Sequence, residues 1–123
     1  MLGAFPELKL ILAHFPMGRR EHERRDATVD LVLKYENAYL DIPCWATSEK
    51  YYRGLRKLLD GLSEGDTRKL KARILFGSDF AVSLMWIDSY NCYVGLFSDT
   101  QALTPEEKQA FCSRNPERFL FRG

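Results

Sequence analysis

Two residues in this chain combine a reactive side chain with a position where chemistry is usually done. Asp79 ends the run Arg73-Ile74-Leu75-Phe76-Gly77-Ser78-Asp79-Phe80, and His14 ends Leu8-Lys9-Leu10-Ile11-Leu12-Ala13-His14. Both runs are short and apolar and read as buried strands, so each places a titratable group at a carboxyl end. In parallel α/β folds that end is where loops converge on ligands. An aspartate there can bind a metal ion and accept a proton from metal-bound water. It can also simply cap the next turn. A second carboxylate, Asp41, lies within the run Ala38-Tyr39-Leu40-Asp41-Ile42, and a thiol, Cys44, follows Pro43 just after it. They are further candidates for the same rim, and Cys44 also admits a nucleophile role with His14 as base and Asp79 as orienting acid. A loop cysteine beside Trp45 is more often packing.

The elements that must position these groups follow from periodicity. Strands are expected near 8–14, 38–42 and 73–79, the first apolar enough for a strand covered on both faces. Alternation counted back from His14 gives it the face of Leu12 and Leu10, and gives Asp79 the face of Gly77 and Leu75. A helix over about 21–35 carries Val29, Val32 and Leu33 as its apolar stripe. Its first turns mix Arg19, Arg20, Arg24 and Arg25 with Glu21, Glu23 and Asp26. Interleaved signs favour a solvated face over a clamp for a substrate carboxylate, and His22 belongs to that face. Tyr51, Leu55, Leu58, Leu59 and Leu62 mark a second helix begun by Thr47 or Ser48, with Gly65-Asp66-Thr67 as a turn before the third strand. Strand, helix, strand, helix, strand predicts parallel βαβ units with His14, Asp41 or Cys44, and Asp79 at one rim. Helices closing the domain are expected over 84–121, with Thr104-Pro105-Glu106-Glu107 as a capping box and proline start.

Composition narrows the class. The chain has 123 residues, 46% of them hydrophobic and 28% charged, which suits a single domain with a real core. A net charge of +1 gives no footprint for nucleic acid or an anionic membrane surface. No apolar run is long enough for a bilayer span, and no leader pattern follows Met1. Cys44, Cys92 and Cys112 fit neither a disulfide framework nor a zinc ribbon, so a reduced, cytoplasmic setting is expected.

Taken in order, these segments resemble the C-terminal part of the amidohydrolase superfamily. The closest likeness is to its amidohydrolase-related TIM barrels and nonoxidative aromatic-acid decarboxylases. Residues 5–14 are similar to that family's sixth barrel strand with its histidine, 37–42 to the seventh and 73–80 to the eighth. Asn115-Pro116-Glu117-Arg118-Phe119-Leu120 is similar to the closing helix. The resemblance implies that Asp79 is a metal ligand and the base for the attacking water, and that His14 touches substrate, water or metal. It implies a divalent ion, zinc being the expected one, and a small-molecule substrate. Phe15 and Ala81 stand where the family usually has glycine and proline, and the family's first-strand pair of histidines and fifth-strand histidine are absent. A whole (β/α)8 barrel needs about 250 residues. The expected architecture is therefore a C-terminal fragment: the last three βα units of a TIM barrel plus its closing helices.

That reading implies a hydrolase, with nonoxidative decarboxylation as the alternative chemistry. A catalytic zinc takes about three protein ligands. With Asp79 and His14 as the candidates here, metal binding by the isolated chain is expected to be weak and its activity absent. Open sheet edges imply self-association or a partner chain that completes the barrel. A non-catalytic partner-binding module is the competing reading. Trp45, Phe80 and Trp86 are candidates to line an apolar pocket or the core.

Overall fold

The computed structural model describes residues 3–77, 82, 84–85 and 87–121. Three strands, β1 (Leu10–Leu12), β2 (Ala38–Ile42) and β3 (Ile74–Phe76), pair in the order β1-β2-β3, all parallel. Leu10, Ile11 and Leu12 lie beside Ala38, Tyr39 and Leu40, and Leu40, Asp41 and Ile42 beside Ile74, Leu75 and Phe76. That register sorts the side chains into two faces. Leu10, Leu12, Ala38, Leu40, Ile42, Ile74 and Phe76 share one; Ile11, Tyr39, Asp41 and Leu75 share the other.

The first face is the core. Between β1 and β2 the chain makes a 3-10 turn at Arg19–Glu21 and helix α1 (His22–Lys34), and between β2 and β3 it makes α2 (Glu49–Gly61) and α3 (Glu64–Lys71). Val29 and Val32 of α1, and Tyr51, Leu55 and Leu59 of α2, are buried in the core as their helical spacing predicts; Leu58 and Leu62 are partly buried against it, and Tyr52, outside the expected stripe, is buried as well. Helix α3 occupies the stretch that Gly65-Asp66-Thr67 led us to expect as a turn. Ser63 accounts for it: its hydroxyl accepts from the Asp66 N–H at 3.2 Å, so the glycine falls in an exposed, well-capped first turn where its cost is small.

β1 is not covered on both faces as its composition suggested. Leu10 and Leu12 are half-buried on the helix side, whereas Ile11, on the edge strand and the opposite face, is 37% exposed. β2, flanked on both sides, is buried almost throughout.

After β3 come α4 (Tyr90–Asp99), α5 (Pro105–Gln109), a π-helical turn (Ala110–Arg114) and α6 (Asn115–Phe121). The capping box forms as the sequence indicates, with Thr104 and Glu107 bonding each other's backbone N–H and Pro105 in the first turn. The π turn lies next to Pro116, which has no N–H to offer the preceding turn; the Asn115 N–H reaches back to the Ala110 carbonyl instead. Asn115 then anchors this last segment to the sheet, donating from Nδ2 to the Lys71 carbonyl at 2.8 Å and the Ile74 carbonyl at 2.7 Å. Phe119 lies edge-on to Tyr39, so α6 covers part of the second sheet face.

Candidate active site

His14 follows β1 by two residues, and the strand's alternation does not reach it. Its φ is 65°, left-handed backbone that side chains other than glycine rarely adopt. It therefore does not share a face with Leu12 and Leu10, as alternation carried to the end of the run would require. Asp41 holds the turn: its Oδ1 accepts from the His14 N–H at 2.7 Å, and its carbonyl accepts from the Phe15 N–H at 3.3 Å. A charge-assisted bond of this kind offsets the local strain. The Phe15 carbonyl in turn accepts from the buried Tyr51 hydroxyl at 3.1 Å. The His14 ring stacks on Trp45, with centroids 4.9 Å apart and planes within 19°. Trp45 is 44% exposed, so this stacked pair stands at the surface of the rim.

The other side of the rim is built by β3. A Cβ on Gly77 would lie 3.3 Å from both the Asp41 Cβ and the Ile42 carbonyl, and 3.4 Å from Asp41 Oδ2. Glycine therefore lets the end of β3 close on the carboxylate. Tyr93 fastens the same region: its hydroxyl sits among the carbonyls of Pro43 at 2.9 Å, Ile42 at 3.4 Å and Gly77. One hydroxyl proton serves these acceptors alternately, tying the carboxyl ends of β2 and β3 to α4. Burial pushes the Tyr93 phenol well above its ordinary pKa, with Tyr52, Tyr90, Cys44 and Asp41 adding to the shift, so it stays a donor.

The structure thus brings His14, Asp41, Trp45 and Gly77 together at the carboxyl end of a parallel sheet. Asp79 lies outside the described residues, as do Phe80 and Trp86. Cys44 is 2% exposed, which suits packing better than a nucleophile open to substrate. Asp41, weighed from sequence as a ligand, emerges as the residue that positions His14. Tyr93 and Tyr51 were not singled out for the rim, because each acts through a backbone carbonyl far away in sequence.

A family model described as amidohydrolase matches residues 1–122. This chain belongs to the amidohydrolase family. No curated protein and no solved structure matches it. Amidohydrolases often use divalent metal ions, which gives the rim a specific test. Among the described residues, no group of three or more His, Cys, Asp and Glu side chains is placed to hold a metal ion. Asp41 Oδ1 is engaged by backbone and the His14 ring by Trp45. The described part of this amidohydrolase rim does not by itself fit a metal centre. No helix among the described residues is long and apolar enough to cross a membrane.

Proposed function

We propose that this chain is the C-terminal portion of a metal-dependent hydrolase barrel acting on a small molecule. Family membership together with the parallel order β1-β2-β3 supports the reading, because three parallel strands joined by helical crossovers are what the last three βα units of a (β/α)8 barrel would contribute. In it Asp79 is a metal ligand and base, and His14, held by Asp41, is the imidazole facing substrate or metal. A divalent ion held there, zinc being the expected one, would supply a water of lowered pKa. Its remaining ligands come from strands outside this chain. Trp45, stacked on His14 and exposed, favours a flat or apolar substrate.

The apolar surface left uncovered supports a partner that completes the barrel. Leu8 and Ile11 at the edge strand are 39% and 37% exposed, and Leu120 and Phe121 at the end of α6 are 64% and 79% exposed. Such a surface is a pairing hazard unless another chain or copy covers it.

The test is an assay against amide, lactone and carboxylate substrates, with the chain alone and paired with the amino-terminal strands of a barrel of this family. Expected are no turnover alone and metal-dependent hydrolysis in the pair, abolished by Asp79→Asn. Carbon dioxide release without hydrolysis would mean decarboxylation instead. A metal bound by four protein ligands all from this chain, or a monodisperse monomer in light scattering, would count against the proposal.

A further inference from the structure

The arginines at the start of α1 look neutralised when that helix is read alone, and one of them is: Arg25 pairs with Asp26 at 2.9 Å. The fold adds a second set of cations that the local sequence does not reveal. Lys50, Arg53 and Lys57 stand at i, i+3 and i+7 on α2, hence on one face, and that face looks toward Arg19, His22 and Arg25. Between them runs a groove of about 750 Å³ lined by these cations, with the Glu21 carboxylate beside Gly18 as the acid near its lining. None of Arg19, Lys50, Arg53 and Lys57 forms an ion pair with a described residue. In a chain of net charge +1, this is a strong local segregation of positive charge.

The floor of the groove is apolar, formed by Met17, Leu58 and Leu62 with Gly54 and Gly61 between them. Gly54 allows the Met17 Cε to pack where a Cβ would come within 3.0 Å of it. Gly61 leaves open space, with nothing within 4 Å of a Cβ placed there. A cationic wall over an apolar floor selects a ligand with a concentrated anionic head and an apolar body. Several unpaired cations suit a dianion better than a single carboxylate, and the volume exceeds what an inorganic anion fills. We propose that the groove between α1 and α2 binds a small organic phosphate, a phosphate monoester with a flat or aliphatic body. This site belongs to the helix layer, so it does not depend on how the rim is completed.

Calorimetric titration with 1-naphthyl phosphate, inorganic phosphate, 1-naphthol and heparin tests this. Expected is 1-naphthyl phosphate binding with 1:1 stoichiometry, about tenfold tighter than inorganic phosphate or 1-naphthol. The double variant Arg53→Ala/Lys57→Ala, altered only at exposed positions, should weaken it at least about tenfold with circular dichroism unchanged. Gly61→Phe, which keeps every cation and fills the open floor, should weaken 1-naphthyl phosphate selectively and leave inorganic phosphate binding as it was. Equal affinity for 1-naphthyl phosphate and inorganic phosphate would overturn the site. So would affinity insensitive to the double variant, or heparin binding that exceeds 1-naphthyl phosphate binding and survives Gly61→Phe; the last would mark a surface for macromolecular polyanions instead.

Discussion

Two carboxylates, Asp41 and Glu107, show how differently two regions of this small fold use the same chemical group. Glu107 is 5% exposed and is surrounded by donors: Lys71 Nζ at 2.6 Å, both its oxygens from Arg56 Nη1 at 3.0 Å, and the Thr104 N–H at 2.9 Å. Burial alone pushes its pKa up. The bonds from Lys71, Thr104 and Arg56 outweigh that and hold it below the usual carboxylate range. This knot joins α2, α3 and α5 beside the start of β3. Asp41 sits at the opposite end of the sheet and uses its charge to hold a left-handed histidine in place. One carboxylate is a structural tie with its bonds fully committed; the other shapes a rim where an imidazole stacks on an exposed indole.

The largest effect should come from breaking the knot. Glu107→Ala leaves Arg56 and Lys71 without their shared anion and removes half the capping box. The expected loss is about 3 kcal/mol, less than for a fully buried pair because Arg56 and Lys71 are partly exposed, and is read by urea unfolding. The pH dependence has a definite sign. A depressed carboxylate pKa contributes stability that is present above the ordinary value of 4.5 and is lost as pH falls through the folded value. Wild type should therefore lose stability below pH 4.5 more steeply than Glu107→Gln.

At the rim, Asp41→Ala should cost about 2 kcal/mol by removing a charge-assisted acceptor for the His14 N–H. It should also change the Trp45 fluorescence, because the stacked imidazole loses its anchor; an unchanged spectrum would show that Asp41 does not position His14. Gly77→Ala should cost about 1 kcal/mol, since the new methyl meets Asp41 and the Ile42 carbonyl at 3.3 Å, a distance that demands a small shift of β3. Smallest is Tyr52→Phe. The buried Tyr52 hydroxyl has no hydrogen-bond partner among the described residues, so removing it should be neutral or stabilising by up to about 1 kcal/mol in thermal unfolding.

Much of this organisation was legible because it is local. The apolar runs over 8–14 and 38–42, the stripe Tyr51-Leu55-Leu59 and the Thr104–Glu107 box each announce themselves within a few residues, and the parallel order follows from strands and helices alternating along the chain. Less visible was anything set by partners distant in sequence. The left-handed turn at His14 depends on a carboxylate 27 positions away, and the Tyr93 hydroxyl reaches carbonyls 16 to 51 positions away. Ser63, a cap without a strong apolar run behind it, concealed α3. Glu107 was read correctly as a capping residue, yet its pairing with Arg56 and Lys71 required three helices to meet.

The division of labour between the two ends is most directly tested by one paired measurement on His14→Ala, Asp79→Asn and Glu107→Gln: thermal melting of the chain, and cobalt(II) titration of the chain paired with the amino-terminal strands of a barrel of this family. The first two should weaken cobalt binding at least about tenfold with the melting temperature unchanged. Glu107→Gln should lower the melting temperature by roughly 10 °C while cobalt binding persists in the folded protein. Cobalt affinity that ignores both His14→Ala and Asp79→Asn, or that falls with Glu107→Gln alone, would contradict the account.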